Sequence, residues 1–325
     1  MDTRALIDDL LEITVVGSFT SLGYGIRRRL FDWQPPPVDA LAGRTVLITG
    51  PTSGLGRATA ESLASLGARL VLVGRDQERL EAVRDALLAR HGDDRFHTVI
   101  ADMSSLASVR QAVDEIRRTQ TRLDVLVDNA GAMFHELRLS QDGIELSLAT
   151  MVVGPFTLIT GLLPLLREDG GARVIAVTSG GMYTQSLHLD DLQFSTPDYS
   201  GPKAYAKAKR AQVVPMREWA RRTAGSGVHF NAMHPGWTDT PGLVDMLPGF
   251  HRLMGPLLRS VEQGVDTTIW LAADQAAAQE KGGLFLDRRR RPFDRVPATR
   301  VSPADRLDLW DAIVQLAGEK AIENP

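Results

Sequence analysis

The sequence has no cysteine among its 325 residues. This absence excludes disulfide bonds and thiolate catalysis, and it is compatible with a reducing compartment. The seven histidines are scattered, and none has metal-ligand spacing, so we expect no metal site. A net charge of -3 provides no excess of basic residues to neutralise phosphates. We therefore expect no nucleic-acid partner.

The N-terminal region also lacks a long hydrophobic run. The uncharged run at residues 13–26 is too short and too polar to cross a bilayer, which needs about 20 apolar residues. Residues 1–12 carry acidic side chains where a secretory signal would have its apolar core. With 43% hydrophobic and 24% charged residues, the chain suits a soluble protein of one or two domains. We expect it to be cytoplasmic, either free or peripheral to a membrane.

Short apolar segments alternate with helix-length segments along most of the chain. Strands are predicted at residues 45–49, 70–73, 96–100, 125–127, 174–177 and 228–233. Strands that are apolar throughout are typical of a parallel sheet buried on both faces. The pattern therefore predicts an α/β fold with a single Rossmann-like, doubly wound parallel sheet of about seven strands and helices on both faces.

Three regions are predicted along the chain. Residues 1–40 form an N-terminal arm that ends at the stiff sequence Pro35-Pro36-Pro37. Residues 41–290 form the main domain, and residues 291–325 form a C-terminal extension. Ser302 and Pro303 begin a terminal helix there, as N-cap and first helical residue. Its apolar stripe is predicted to consist of Leu307, Trp310, Ile313 and Val314.

A glycine-rich turn follows the first predicted strand. Its three glycines let a backbone approach a pyrophosphate closely, and the N-terminus of the next helix offers unpaired N–H groups. The spacing differs from that of most dinucleotide-binding turns, and a tight turn without a ligand is the structural alternative. The candidate cofactor-binding residues of this turn are Gly50, Thr52, Ser53, Gly54, Leu55 and Gly56.

The end of the second strand indicates which dinucleotide the domain prefers. An Asp or Glu there would bind the 2'-hydroxyl of NAD, whereas an Arg accommodates the 2'-phosphate of NADP. The sequence has Gly74 at the strand end and Arg75 next, which favours NADP(H) over NAD(H). Arg75 as a solvated charge is the alternative, and Asp76 also suits a helix N-cap.

Tyr205 and Lys209 are four residues apart on a predicted helix, so both side chains lie on one face. A nearby ammonium favours the phenolate and lowers the pKa of the phenol from its ordinary value of about 10. Such a Tyr can exchange a proton with a carbonyl or alcohol while a nicotinamide exchanges the hydride.

These motifs together resemble the short-chain dehydrogenase/reductase family, and within it the retinol-dehydrogenase-like branch. The resemblance covers residues 40–290 and includes Ser179 and the pair Tyr205 and Lys209. It implies that Ser179 donates a hydrogen bond to the substrate oxygen, that Tyr205 is the acid or base, and that Lys209 also binds the nicotinamide ribose. Ser179 as only a strand-end cap is the alternative. The resemblance adds as cofactor-binding residues Asp102, Met103, Asn129, Ala130, Gly131, Pro235, Gly236, Thr238 and Thr240.

One residue departs from the family pattern. Met151 stands where the family normally has an Asn that helps to hold a water beside the lysine. Methionine cannot donate a hydrogen bond, so a proton relay would depend on backbone groups and water. Two functions follow: an NADP(H)-dependent oxidoreductase, and a nucleotide-binding protein with weak or no catalysis. A sugar-nucleotide epimerase would want a larger C-terminal domain than this chain has.

Two segments predicted to flank the substrate, residues 180–204 and 237–259, are rich in large apolar side chains. Such walls suit a lipophilic carbonyl or alcohol of retinoid, steroid or fatty-chain type. The alternative is that these residues pack a lid or a subunit interface, which leaves a homo-oligomer open. The side chains concerned are Met182, Tyr183, Leu187, Phe194, Tyr199, Trp237, Leu243, Met246, Leu247, Phe250 and Met254.

The N-terminal arm combines apolar residues with a basic cluster, Arg27-Arg28-Arg29, and an adjacent Trp33. This composition suits a peptide that lies in a membrane interface. Packing on the main domain, or covering its active-site entrance, is the alternative. A second basic run, Arg288 to Arg291, is predicted to be a solvated face, and reinforcing the same membrane contact is the alternative.

Overall fold

The computed structural model describes residues 3–92, 95–167, 171–194 and 198–319, together with all side chains in these ranges except those of Met246 and Ala298. The ends of the predicted arm and of the predicted C-terminal extension, residues 1–2 and 320–325, lie outside the described residues. Every predicted catalytic and cofactor-binding residue lies within them.

Eight strands form one sheet. Their bounds are β1 Thr45–Thr49, β2 Arg69–Gly74, β3 Phe96–Ile100, β4 Val125–Asp128, β5 Arg173–Val177, β6 His229–Met233, β7 Leu284–Leu286 and β8 Arg289–Arg291. The order across the sheet is β3-β2-β1-β4-β5-β6-β7-β8. Strands β1 to β7 pair in parallel, and β8 pairs antiparallel with β7. The predicted parallel sheet of about seven strands is confirmed, and β8 is an additional edge strand.

The burial of β1 explains why its residues form a central strand. Val46 and Ile48 belong to one apolar cluster and Leu47 to the other, and all three are completely buried. Alternating side chains thus enter opposite faces of the sheet, and both faces are covered. Apolar residues in every position of a strand are stable only in such a doubly covered sheet.

Helices cover both faces of the sheet. Their bounds are α1 Thr3–Ile13, α2 Val15–Phe19, α3 Ser21–Leu30, α4 Gly54–Ser65, α5 Gln77–His91, α6 Leu106–Thr119, α7 Leu146–Leu148, α8 Gly154–Arg167, α9 Gly201–Arg222, α10 Pro241–Met246, α11 Pro248–Met254, α12 Val261–Ala273 and α13 Pro303–Ala317. Helices α4, α5 and α12 contribute to one apolar cluster, and α6, α8, α9 and α13 contribute to the other. A π-helix at Ala149–Val153 joins α7 to α8.

Among the described residues, one continuous helical stretch, Leu146–Arg167, is long and apolar enough to cross a membrane. Within the protein, 78% of its apolar window is buried. It therefore has the surroundings of a core helix. Its π-helical turn is of interest because such turns are frequent at functional sites.

The arm lies against the main domain as three short helices, α1 to α3. Arg27 is completely buried and forms ion pairs with Asp8 at 2.7 Å, with Glu12 at 3.2 Å and with Asp287 at 2.8 Å. Asp287 also pairs with Arg259 at 2.5 Å. One arginine of the basic cluster is thus the centre of a buried ionic network that joins the arm to the domain.

The prediction for the second basic run is wrong for Arg291, which is buried, and holds for Arg290, which is exposed. Arg289 to Arg291 form β8, and Arg291 is buried with its guanidinium 2.8 Å from the carboxylate of Asp8 in the arm. Arg288 pairs with Asp266 at 2.6 Å. Arg288 binds an acidic group of α12 and Arg291 one of the arm, whereas Arg290 lies at the surface. The predicted domain boundary after residue 290 consequently falls inside β8.

The terminal helix α13 begins with the predicted cap, since Ser302 accepts from the backbone N–H of Asp305 at 3.1 Å. Trp310 and Ile313 are buried, as predicted. Leu307 is exposed, so the predicted apolar stripe is wrong at that position. The buried residues of the helix are Leu309, Trp310, Ile313 and Ala317.

Candidate active site

The glycine turn between β1 and α4 has the geometry of a cradle for a phosphate group. Gly50 and Gly54 have φ angles of +67° and +50°, a region that side chains rarely adopt. A Cβ on Gly56 would lie 2.0 Å from the carbonyl oxygen of Gly50 and 2.5 Å from the amide nitrogen of Asn129. The turn therefore admits only glycine at Gly56. With Thr52, Ser53 and Leu55, it brings the N-terminus of α4 to the carboxyl end of β1, and this arrangement fits a dinucleotide pyrophosphate.

Asn129 fixes this turn to the end of β4. Its side-chain amide donates to the carbonyl oxygens of Thr49 at 2.9 Å and Gly50 at 3.2 Å. The Thr49 hydroxyl accepts from the backbone N–H groups of Asn129 and Ala130. Asn129 is thus a bracing residue, and it places Ala130 and Gly131 beside the turn. We call Gly50, Gly54, Gly56 and Asn129 the glycine wall.

The ends of β2 and β3 carry the other predicted cofactor residues. Arg75 is exposed just beyond β2, whereas the carboxylate of Asp76 accepts from the backbone N–H of Arg79 at 3.1 Å and caps α5. Asp102 follows β3 and accepts from the backbone and hydroxyl of Ser104 at 2.9 and 2.7 Å. Its neighbour Met103 is buried.

The three predicted catalytic residues meet at the carboxyl end of β5. Ser179 lies two residues beyond the strand, and its hydroxyl accepts from the backbone N–H of Gly181 at 3.2 Å. Tyr205 and Lys209 lie on α9, which Thr178 ties to the strand end by a 2.9 Å hydrogen bond to the carbonyl of Lys209. Ser179 both caps the following 3-10 turn and hydrogen-bonds the side chain of Tyr205.

The phenol of Tyr205 is neutral in these surroundings. Burial raises its pKa to about 12, and the hydrogen bond with Ser179 opposes this rise. The prediction that Lys209 lowers this pKa differs from the structure. The Lys209 ammonium lies 5.9 Å from the centre of the Tyr205 ring and donates elsewhere, to the carbonyl of Val177 at 2.8 Å. Tyr205 therefore has the form of a proton donor.

The loop after β6 carries the remaining cofactor residues. Gly236 has a φ angle of +73°, and a Cβ there would lie 2.4 Å from the Arg259 side chain and 2.8 Å from the carbonyl oxygen of Phe19. Thr238 is buried and hydrogen-bonds the carbonyl of Pro235 at 3.2 Å. Thr240 caps α10 by accepting from the backbone N–H of Leu243 at 3.2 Å.

The arm reaches this loop through Phe19. The Phe19 carbonyl accepts from the backbone N–H of Trp237 at 2.8 Å and from Arg259 at 3.1 Å. Its ring stacks on Trp237 at 5.6 Å and lies so close to Gly180 that a Cβ there would be 2.4 Å away. We call Phe19, Gly180, Gly236 and Trp237 the arm wall. It adjoins Ser179 through Gly180.

The apolar residues predicted to flank the substrate divide into two groups. Met182, Tyr183 and Phe194 are buried in the protein core. Trp237 is partly exposed beside the loop and packs edge-on against Phe250 at 4.9 Å. The side chain of Met246 lies outside the described residues. Of the predicted substrate walls, the aromatic group around Trp237 is the part that packs against Phe19 of the arm wall.

The family profile described as short chain dehydrogenase matches residues 44–247. The chain belongs to the short-chain dehydrogenase/reductase family. It is 39% identical over 303 residues to Dehydrogenase/reductase SDR family member 12 of Bos taurus, covering 92% of this chain and 94% of that protein. It is 30% identical over 290 residues to Retinol dehydrogenase 13 of Homo sapiens, covering 85% and 86%. The solved structure described as the Pseudomonas aeruginosa RhlG/NADP active-site complex is similar, with a TM-score of 0.63 and 26% identity over 77% of this chain and 96% of that chain.

The predicted membership of this family, with retinol-dehydrogenase-like relatives, is confirmed. As a short-chain dehydrogenase/reductase, the protein is an oxidoreductase that acts on alcohol and carbonyl groups with a nicotinamide cofactor. When it is bound, the nicotinamide supplies or accepts the hydride. The glycine wall fits such a cofactor, because a side chain on Gly56 would close the turn.

Met151 lies near Lys209 in this dehydrogenase. Met151 is completely buried in the π-helix. A Cβ on Gly131 would lie 3.3 Å from the Met151 sulfur and 3.4 Å from the Lys209 ammonium. A thioether therefore lies beside the ammonium, where the family normally has an amide, and it offers only a weak acceptor.

Two polar residues near the lysine were missed in the sequence. Gln212 accepts from the Lys209 ammonium at 3.0 Å and donates to the carboxylate of Asp128 at 2.7 Å. The helical spacing of three residues between Lys209 and Gln212 is a signal that could have indicated their contact. An acidic residue at the end of an otherwise apolar strand is a similar signal for Asp128. Phe19 gave no such signal, because it lies more than 150 positions before Ser179 in the sequence.

Proposed function

We propose that the protein transfers a hydride between NADP(H) and a carbonyl or alcohol of a lipophilic substrate, with Tyr205 as general acid or base. The observation that carries this proposal is the meeting of Ser179, Tyr205 and Lys209 at one strand end, beside the glycine wall. Ser179 binds the substrate oxygen, and Tyr205 gives its proton to that oxygen as the carbonyl is reduced. The reverse reaction returns the proton to Tyr205.

The preference for NADP(H) rests on the end of β2. Arg75 is exposed there, and the nearest acidic side chain, that of Asp76, is engaged in capping α5. A guanidinium suits a 2'-phosphate, whereas a 2'-hydroxyl would need a carboxylate. The solved relative described with NADP supports this preference.

The cofactor preference can be tested by titration with NADPH and NADH. We expect Arg75→Gln to weaken NADPH binding about tenfold and to leave NADH binding unchanged, because only NADPH has the phosphate that a charged hydrogen bond stabilises. Arg79→Gln, one turn further along α5, is the matched control and should change neither affinity. Equal losses for both cofactors in Arg75→Gln would contradict the assignment.

A lipophilic substrate is supported by the aromatic residues at the arm wall and by the relative named for retinol. Apolar walls with few polar groups bind the hydrophobic body of a retinoid, steroid or fatty aldehyde. The test is turnover of a panel of lipophilic and small hydrophilic carbonyls with each cofactor. Turnover of the hydrophilic members alone would contradict the lipophilic assignment.

Met151 favours one alternative function, a nucleotide-binding protein with weak or no catalysis. The position of the thioether beside Lys209 supports it, because the family amide is missing there. The same panel separates the two functions. Tight NADPH binding without turnover of any carbonyl or alcohol would favour the binding protein.

We also propose that the protein is cytoplasmic and that its arm contacts a membrane surface peripherally. The supporting observation is a row of exposed apolar side chains on α1 to α3, next to the exposed Arg28 and Arg29. Such a face suits anionic lipid. The exposed apolar side chains are Leu6, Leu10, Ile13, Val15, Val16, Leu22 and Ile26.

The membrane contact can be tested without removing the arm, whose buried side belongs to the fold. We expect the triple variant Leu10→Ser, Ile13→Ser and Val16→Ser to lose sedimentation with phosphatidylcholine–phosphatidylserine vesicles. The matched control replaces exposed apolar residues elsewhere, Leu88 and Leu139, by Ser. Equal sedimentation of both variants and the natural protein would contradict the contact.

A further inference from the structure

A chain of buried polar groups runs from the end of β4 to the catalytic lysine. Asp128, Gln212 and Lys209 are 1%, 2% and 3% exposed. The Asp128 carboxylate accepts from the Gln212 amide at 2.7 Å, and the oxygen of that amide accepts from the Lys209 ammonium at 3.0 Å. The amide of Gln212 therefore bridges an acid and a base that are both removed from water.

The carboxylate is only half satisfied by this bridge. Its second oxygen, Oδ1, is buried and has no hydrogen-bond partner among the described residues. A buried acidic group with one free oxygen is costly, and a structural role alone would be filled as well by an amide. The negative charge itself is therefore the property that needs an explanation.

The charge of Lys209 supplies that explanation. Burial lowers the pKa of Lys209 to about 8, and the carboxylate of Asp128 opposes this fall. Burial raises the pKa of Asp128 to about 6, and the Lys209 ammonium and the Gln212 amide oppose that rise. Both groups are thus ionised near pH 7. The phenol of Tyr205, whose ring centre lies 5.9 Å from the ammonium, is the other titratable group that faces Lys209 from α9.

The surroundings on the other elements make this support necessary. The π-helix presents the Met151 thioether near the ammonium, and β5 presents only the carbonyl of Val177. Neither carries a charge. Among the described side chains, Asp128 is the acidic group that acts on the charge of Lys209.

We propose that Asp128 is a positioning residue that acts through Gln212 to keep the Lys209 ammonium charged and in place at the carboxyl end of β5, the support that Met151 cannot give. The inference rests on the proposed function, because Lys209 matters only if Tyr205 carries out proton transfer. Asp128 itself touches neither substrate nor cofactor in this arrangement.

The direct test is to measure the pKa of Lys209 by NMR of protein labelled with carbon-13 at the lysine ε position. The chain has only five lysines, Lys203, Lys207, Lys209, Lys281 and Lys320, so the signals can be separated. Lys209→Arg identifies the Lys209 signal. In Asp128→Asn we expect the pKa of Lys209 to fall by about one unit or more, because a charge at close range shifts a pKa by about 1 to 3 units.

Gln212→Leu provides the second variant, and it decides the matter if Asp128→Asn does not fold. We expect a shift in the same direction, because the bridge to Lys209 is lost. The double variant should shift the pKa of Lys209 no further than Asp128→Asn alone, since both changes interrupt one interaction. Asp85→Asn, on the surface of α5, is the matched control and should leave the pKa unchanged.

The outcomes separate this inference from the proposed function. An unchanged pKa of Lys209 in both variants overturns the role of Asp128, whatever the protein turns over. If the natural protein reduces a carbonyl, the high-pH limb of kcat/KM should move to lower pH by the shift that NMR measures. A shifted pKa with an unmoved limb would also overturn the role. Absence of any turnover would instead contradict the proposed function, while the NMR result still decides whether Asp128 supports the charge.

Discussion

The glycine wall and the arm wall meet at one site, but different interactions hold them in place. The glycine wall is fixed by backbone geometry, because a Cβ on Gly56 would lie only 2.0 Å from the carbonyl oxygen of Gly50. The arm wall is fixed by a buried ionic network, with Arg27 and Arg259 joined through Asp287. The first wall depends on residues of one turn and its neighbour strand. The second depends on contacts between segments more than 200 residues apart.

Because of this difference, we expect the two walls to have different functions. A turn that admits only glycine is suited to a constant cofactor. A wall built by a peripheral arm can change with the arm, and it adjoins the position where the substrate is proposed to bind. We therefore expect damage to the glycine wall to affect cofactor binding, and damage to the arm wall to affect stability and substrate selection.

The largest effect on stability is expected from breaking the ionic network. Arg27→Ala leaves the carboxylates of Asp8 and Asp287 buried with fewer partners, and we expect the free energy of unfolding to fall by about 3–5 kcal/mol. Chemical denaturation measures this change. Arg57→Ala removes the exposed pair with Glu61 and should cost less than about 1 kcal/mol. Similar losses in the two variants would contradict the account of the arm wall.

The next effect concerns the glycine wall. Gly56→Ala places a methyl group against the Gly50 carbonyl and the Asn129 amide, and we expect a loss of about 1–3 kcal/mol in stability, together with weaker NADPH binding. Gly25→Ala is the control, because nothing lies within 4 Å of the added atom. NADPH titration of both variants checks the prediction. Unchanged affinity in Gly56→Ala would show that the turn does not hold the cofactor.

A smaller effect is expected at Phe19. Phe19→Leu keeps an apolar side chain but loses the stacking on Trp237, which costs about 0.5–1.5 kcal/mol. We expect a changed KM for bulky carbonyls and an unchanged Kd for NADPH. Steady-state kinetics on the substrate panel measures both. A weaker NADPH affinity of Phe19→Leu with unchanged KM values would contradict the assignment of substrate selection to the arm wall.

A further effect is a pH dependence of stability. The pKa of Asp128 is raised from its ordinary value of 3.8 to about 6, so the unfolded chain loses this proton at lower pH than the folded protein. The contribution of this group to stability is present at low pH and is lost as the pH rises from about 4 to 6. Asp128→Asn should flatten this part of the curve of unfolding free energy against pH. An identical slope in the variant and the natural protein would contradict the raised pKa.

The sequence predicted the three glycines of the glycine wall because local geometry determines them, whereas Asn129 was predicted from the family resemblance. A turn that needs positive φ angles has glycine at Gly50 and Gly54, and the apolar strands identify the sheet around it. Tyr205 and Lys209 were predicted to share a face of α9 by helical spacing alone. What spacing could not predict was the direction of the ammonium, which the carbonyl of Val177 and the amide of Gln212 determine.

The sequence left open whether the arm packs on the main domain, and it did not indicate which contacts would hold the arm there, because these depend on tertiary packing. Arg27 and Arg291 belong to basic runs that resemble solvated surfaces, yet both are buried against Asp8. The sequence of a basic run does not indicate whether a given arginine is exposed to water or paired with a buried carboxylate. The contact between Phe19 and Gly180 likewise could not be predicted, because it depends on where the arm packs on the domain.

The central claim, that Tyr205 is the proton donor of an NADP(H)-dependent oxidoreductase, is tested most directly by Tyr205→Phe. The measurement is NADPH oxidation with a lipophilic carbonyl, together with NADPH titration of the same preparations. We predict that kcat falls by about 10²–10⁴-fold and that the Kd for NADPH stays nearly the same, because only the hydroxyl that transfers the proton is lost. Equal turnover by Tyr205→Phe and the natural protein would contradict the claim.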